Sequence, residues 1–177
     1  MNRPTIKIEK NILDKFIEIL TFLLIIVSII LIITYYNQLP EKLPIHFNWP
    51  SKDKNGFGTK DLLWSNPIIC GIIGMLIYKL NQYTLTLNYP KEILKNNEEF
   101  NYKMSTQMLR IISLIIAFMC LSLTLTSILN GLGNETEFGK YSKSIFPILF
   151  IGAPVFYIIR ILTNKKNRHN SLFNNNI

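Results

Sequence analysis

Cysteine and histidine are both scarce. The two cysteines, Cys70 and Cys120, lie inside apolar runs with no CxxC spacing, which excludes a disulfide framework and reads as inert core. Of the two histidines, His169 belongs to a polar tail and His46 stands among aromatics; Glu41, Asp53 and Asp61 near it have no metal-ligand spacing. A hydrogen-bonded structural His46 is therefore favoured over a metal ligand, and neither a metal nor a cofactor is expected. No Ser-His-Asp order or phosphate-cradling glycine loop occurs either, since Gly56 and Gly58 lack the remaining glycine of a nucleotide fingerprint. The chain is read as non-catalytic, with no catalytic residue.

Charge is missing over long stretches. From Phe16 to Tyr36 the sole charge is Glu18; from Ile111 to Leu132 there is none, nor from Ile145 to Ile159. At about 1.5 Å per residue, roughly 20 helical residues cross a hydrocarbon core of about 30 Å. Two of these runs span unaided. A further run from Leu62 to Tyr78 contains Pro67, which a first helical turn tolerates because its missing N–H would have no partner there. The expectation is an all-α transmembrane protein, a four-helix membrane bundle with a short extracytoplasmic hairpin-like loop between helices 1 and 2. Its spans fall at 16–36, 62–83, 108–130 and 144–162, with a segment 1–15 before them, connections at 37–61, 84–107 and 131–143, and a tail at 163–177. The first span is too long for the apolar core of a signal peptide, and no small-x-small cleavage site follows it.

Basic residues give an orientation, because basic loops resist translocation. Arg3, Lys7, Lys10 and Lys15 precede span one; Lys79, Lys91, Lys95, Lys103 and Arg110 flank the second connection; Arg160, Lys165, Lys166 and Arg168 follow span four. Lys42, Lys52, Lys54, Lys60, Lys140 and Lys143 lie on the opposite side. Both termini are thus expected in the cytoplasm. The net charge of +8 reflects residues gathered at membrane ends, where anionic lipid attracts them, so no nucleic-acid partner is expected. Glu18, Lys79, Arg110 and Arg160 lie near these ends and read as snorkelling side chains. Span three is instead rich in hydroxyls, with Ser113, Ser122, Thr124, Thr126 and Ser127, and no acid stands at mid-depth. Gly71, Gly74 and Gly152 read as helix-packing positions. Phe100, Met104 and Met108, at spacing four, place one helical face ahead of span three.

The first loop carries the densest pattern, in LPEKLPIHFNWPSKDKNGFGTK, Leu39 to Lys60. Pro40 and Pro44 hold Leu39 and Leu43 out of helix. Ile45, Phe47 and Trp49 alternate with His46 and Asn48, a strand-like period of two. Asn55-Gly56 suits a type I′ turn. Tyr35, Tyr36, Trp49, Phe57 and Trp64 read first as an interfacial aromatic belt. Lys60 and Asp61, at the mouth of span two, fit a snorkelling cation and a helix-end acid.

LPxxLPIHFN followed by GFGTK and LLW resembles the pattern IPxHFNxxGxxDGxGxK of the bacterial membrane family known as domain of unknown function 1648. Asn88 to Arg110 is similar to that family's segment between spans two and three, so the resemblance is expected over roughly 16–130. The chain departs from the pattern by one extra residue in NWPSKDKNGFG, by the absence of the first glycine, and by Asn55 in place of an aspartate. Larger proteins with this domain include bacterial immunity and signalling proteins that protect against a secreted peptide toxin. The resemblance implies a protein of the bacterial cytoplasmic membrane whose outward loop recognises an extracellular peptide. His46, Asn48, Trp49 and Lys60 would contact that ligand, while Pro40, Pro44, Gly56 and Gly58 would shape the loop. The alternative is a transporter or an auxiliary subunit of a transport complex, built with a second copy or another membrane protein; its mark would be a polar stripe on span three facing polar positions on span two.

Overall fold

The computed structural model describes residues 8–44, 57–83, 98–134 and 138–163. Four helices run α1 (Ile12–Tyr35), α2 (Ser65–Leu80), α3 (Glu98–Gly131) and α4 (Phe138–Thr163). A 3-10 turn, Tyr36–Gln38, follows α1, and another, Lys60–Trp64, leads into α2; between them strands β1 (Lys42–Pro44) and β2 (Phe57–Thr59) pair antiparallel. The four helices are long and apolar enough to cross a membrane. The expected all-α transmembrane bundle is the observed architecture, and the chain is a multi-pass membrane protein.

Helix α1 begins with a reciprocal cap. The Asn11 side chain accepts from the Asp14 N–H at 2.7 Å, and the Asp14 carboxylate accepts from the Asn11 N–H at 3.1 Å. Such a cap contributes about 1 kcal/mol. Buried positions along α1 are Asp14, Ile17, Thr21, Ile25, Ser28 and Ile32, spaced three and four apart as one face of a helix requires. The opposite face is also apolar, with Phe16, Ile19, Leu23, Ile26, Ile30 and Ile33 exposed. Apolar side chains around the whole circumference mark a helix whose outer solvent is lipid. Thr21 and Ser28 enter the packed face without an open donor, donating to the carbonyls of Ile17 and Leu24 at 2.8 and 2.9 Å.

Helix α3 is the central element. It packs against α1, α2 and α4, and its small hydroxyl residues Ser113, Ser122, Thr124, Thr126 and Ser127 are buried where neighbouring helices approach. It starts at Glu98, so the face anticipated from Phe100, Met104 and Met108 does run into span three as one helix. Helix α4 packs chiefly on α3 and leaves Ile148, Ile151, Phe156 and Ile159 exposed.

The glycines divide differently from the packing role expected of all three. A Cβ at Gly74 would sit 3.7 Å from Ile25 Cδ1 and 3.9 Å from Ser113 Oγ, so α1 and α3 do approach α2 closely there. At Gly71 and Gly152 a Cβ would meet open space. These two lie on faces turned away from the bundle.

Candidate functional site

The hairpin end is built around leucines. Leu39 and Leu43 leave α1 in extended backbone ahead of their prolines, and both insert into a cluster with Ile32, Leu63 and Ile128, flanked by Tyr35, Tyr36 and Trp64. Leu43 is fully buried. A Cβ on Gly131 would come within 2.8 Å of Leu39 Cδ2 and closer still to Leu43. Glycine is therefore what lets the end of α3 receive the first strand. The pairing register Lys42 with Thr59, Leu43 with Gly58 and Pro44 with Phe57 brings β2 beside it, with Gly58 buried opposite Leu43.

Lys60 closes the base of this hairpin. Its backbone N–H donates to the Glu41 carbonyl at 3.0 Å, its ammonium meets the Glu41 carboxylate at 2.8 Å, and it lies 4.9 Å from the centre of the Tyr36 ring. The Tyr36 hydroxyl donates to Asp61, and the Tyr36 and Trp64 rings are 6.4 Å apart. Lys60 is thus more tightly held than a snorkelling cation, and the expected aromatic belt residues Tyr36 and Trp64 also form part of its support. Pro40 is exposed at the hairpin base, and Pro44 ends β1. His46, Asn48, Trp49 and Gly56, with Asn55, lie outside the described residues. Of the expected contact residues, the structure places Lys60.

A second constellation lies at the opposite end of the bundle. Arg110 of α3 donates from Nε to Glu18 of α1 at 2.9 Å, and its Nη1 stands 3.6 Å from Asp14 Oδ1. Lys10 meets the other Glu18 oxygen at 2.7 Å and sits 4.7 Å from the centre of the Tyr78 ring. Asp14 and Arg110 are 1% and 4% exposed, which corrects the snorkelling reading of Glu18 and Arg110: these side chains turn into the bundle. The physical reason is mutual neutralisation, since two acids and two bases close together offset part of the cost that would drive each alone to water, while Asp14 Oδ1 and Arg110 Nη1 themselves make no hydrogen bond. Thr21, Asn81 and Ser113 line the adjoining cleft with Glu18 and Arg110. A cue was present in sequence: Asp14 and Glu18, four apart, share one face of α1.

A third feature lies between α2, α3 and α4. Cys70 and Cys120 face one another across the α2–α3 contact in a cluster with Ile116, beside a cavity of about 290 Å³ that Asn66, Met119 and Phe150 also line. Both cysteines are free thiols and buried, as the apolar runs around them implied, but their meeting was not.

These features define a multi-pass membrane protein with a pair of short strands fastened between its first two helices. Residues 23–71, from mid-α1 through the hairpin into α2, match the family model described as Domain of unknown function (DUF1648), and the chain resembles that family over this stretch. Asn88 to Arg110, also expected to share the resemblance, lies outside the match. No curated protein and no solved structure matches the chain.

Proposed function

We propose that the chain is a non-catalytic protein of the bacterial cytoplasmic membrane, with both termini inside, that uses its outward hairpin to recognise an extracellular peptide, in immunity or signalling. The observation that carries this reading is the anchoring of the hairpin base. Leu39 and Leu43 are seated against Gly131 of α3, and Lys60 is held by Glu41 and Tyr36. A mere connection between two helices needs no such fastening, whereas a recognition loop gains affinity from being held in one arrangement. His46, Asn48 and Trp49 lie in sequence between the two strands of this base. The excess of basic residues on the terminal side supports the orientation.

Two outcomes are expected. A reporter fused after Ile177 will be active in the cytoplasm; an exported reporter would overturn the orientation. In cells challenged with secreted antimicrobial peptides from related bacteria, the wild-type chain will protect growth, and His46→Ala and Lys60→Ala at matched membrane abundance will lose that protection. Lys60→Ala also removes the contacts with Glu41 and Tyr36 at the hairpin base, so its loss of protection is read beside that of His46→Ala, which leaves those contacts in place. Equal growth with all variants across a broad panel would remove the peptide reading.

The second reading, a transporter or auxiliary transport subunit, draws support from the buried Asp14, Glu18 and Arg110 beside the cleft lined by Thr21, Asn81 and Ser113. Paired ionisable groups within a bundle are a common sign of a substrate or ion path.

A further inference from the structure

Cys70 and Cys120 are the chain's two cysteines, and the fold brings them to one place. On α2, Asn66, Cys70 and Gly74 are buried at successive intervals of four, so this stripe meets α3. On α3, Ile116, Cys120 and Thr124 repeat the same interval. The two thiols come within hydrogen-bonding reach of each other where the stripes cross, with the Ser28 hydroxyl also near Cys120. Met119, the neighbour of Cys120, turns toward the same 290 Å³ cavity. Two thiols that meet across the α2–α3 contact and a neighbouring thioether therefore line one apolar space.

That space extends to the start of α2. Ser65 and Asn66, at the start of α2, line the cavity with the sulfur residues. Cys70 follows five residues after Ser65, about 7.5 Å further along the helix axis. Along this wall of the cavity a hydroxyl and an amide come before sulfur.

The donor set selects the ion. Among the described residues no three His, Cys, Asp or Glu side chains converge, so the four nitrogen, sulfur or oxygen ligands that zinc prefers are not assembled there. Thiolate and thioether are soft donors and favour copper(I). Charge leads to the same choice. A monovalent cation held by one thiolate, one thiol and one thioether forms a neutral assembly, which an apolar interior tolerates, whereas an uncompensated ion is strongly disfavoured. Binding forms the metal–sulfur bonds, breaks one S–H bond and releases one proton, with no change in oxidation state.

We propose that Cys70, Cys120 and Met119 form a binding site for a soft monovalent metal ion, copper(I) being the representative case. The test uses the full chain purified in detergent under anaerobic, reducing conditions and titrated with copper(I) against a chromogenic chelator. One copper per chain is expected, and it will be lost in Cys70→Ser and in Cys120→Ser alike, because each thiol is half of one site. Met119→Leu will retain the copper with lowered affinity, and affinity equal to that of wild type would remove Met119 from the site. Two equivalents per chain, with each serine variant keeping one, would mean independent thiols and overturn the proposal. Binding by the Cys70→Ser/Cys120→Ser chain equal to that of wild type would overturn it as well. A second measurement needs no substitution: loading the wild-type chain with copper(I) will produce a thiolate-to-copper charge-transfer band in the ultraviolet, and loaded protein without that band would refute the site.

Discussion

Replacing Arg110 with leucine will destabilise the bundle by about 3–5 kcal/mol, the characteristic cost of removing one partner from a buried ion pair. The guanidinium lies between Glu18 and Asp14, and both it and Asp14 are shielded from solvent. Leucine fills part of the volume but leaves the buried Asp14 without its cation, with the Asn11 N–H of the helix cap as its hydrogen-bond donor. Lys10 still reaches Glu18 from the edge of the bundle, so Asp14 suffers more. The measurement is denaturant unfolding in micelles, with Arg110→Leu compared against Arg110→Leu/Asp14→Leu/Glu18→Leu. Because an apolar replacement of a whole buried ionic group is often neutral or stabilising, the triple variant should recover much of the loss. A single variant as stable as wild type would mean that the cluster is open to water and contributes little.

The second large effect belongs to the hairpin. Leu43→Ala will cost about 2–5 kcal/mol, as deletion of a fully buried leucine does. It removes the side chain that lies closest to Gly131 and joins β1 to Ile32, Leu63 and Ile128. Gly131→Ala alone will cost about 1–3 kcal/mol through overpacking against Leu43 and Leu39. In the Leu43→Ala background the same glycine change should cost less, because the space it needs has been vacated. A double-mutant cycle in the same unfolding assay measures this coupling, expected at about 0.5–3 kcal/mol. Strict additivity would show that the strand is not seated on α3.

The spans were legible because lipid imposes a simple condition: about 20 residues without charge, whichever neighbours they have. Glu18 does not interrupt the first span, since it lies close to its start, and Pro67 falls where a helix needs no donor. The hairpin was partly legible too: Leu-Pro pairs disfavour helix locally, so extended chain at Leu39 and Leu43 was readable, whereas the strand-like period at 45–49 lies outside the described residues and the pairing of 42–44 with 57–59 was not read. What sequence withheld was azimuth, the direction in which each helix turns its side chains. Glu18 and Arg110 are 92 positions apart, and as isolated residues near helix ends each is adequately explained by reaching for water. Only the rotation of α1 against α3 makes them partners. The same holds for Cys70 and Cys120, where an apolar setting implies burial whether or not the thiols meet. Lys60 lies between these cases: its place at the mouth of α2 was readable, but its grip on Glu41 depends on the pairing of strands across the loop.

The position of Arg110 in the third helix has a consequence for synthesis. A ribosome emits α1 and α2 first, and at that moment the acids of α1 have Lys10 as their available counter-charge within the finished cluster. Leu39 and Leu43 likewise precede Gly131, the residue against which they come to rest. The first two helices thus emerge with both ends of their packing surface incomplete. Arrival of α3 supplies the cation at one end and the seat for the leucines at the other, so a single insertion event closes the assembly from both sides.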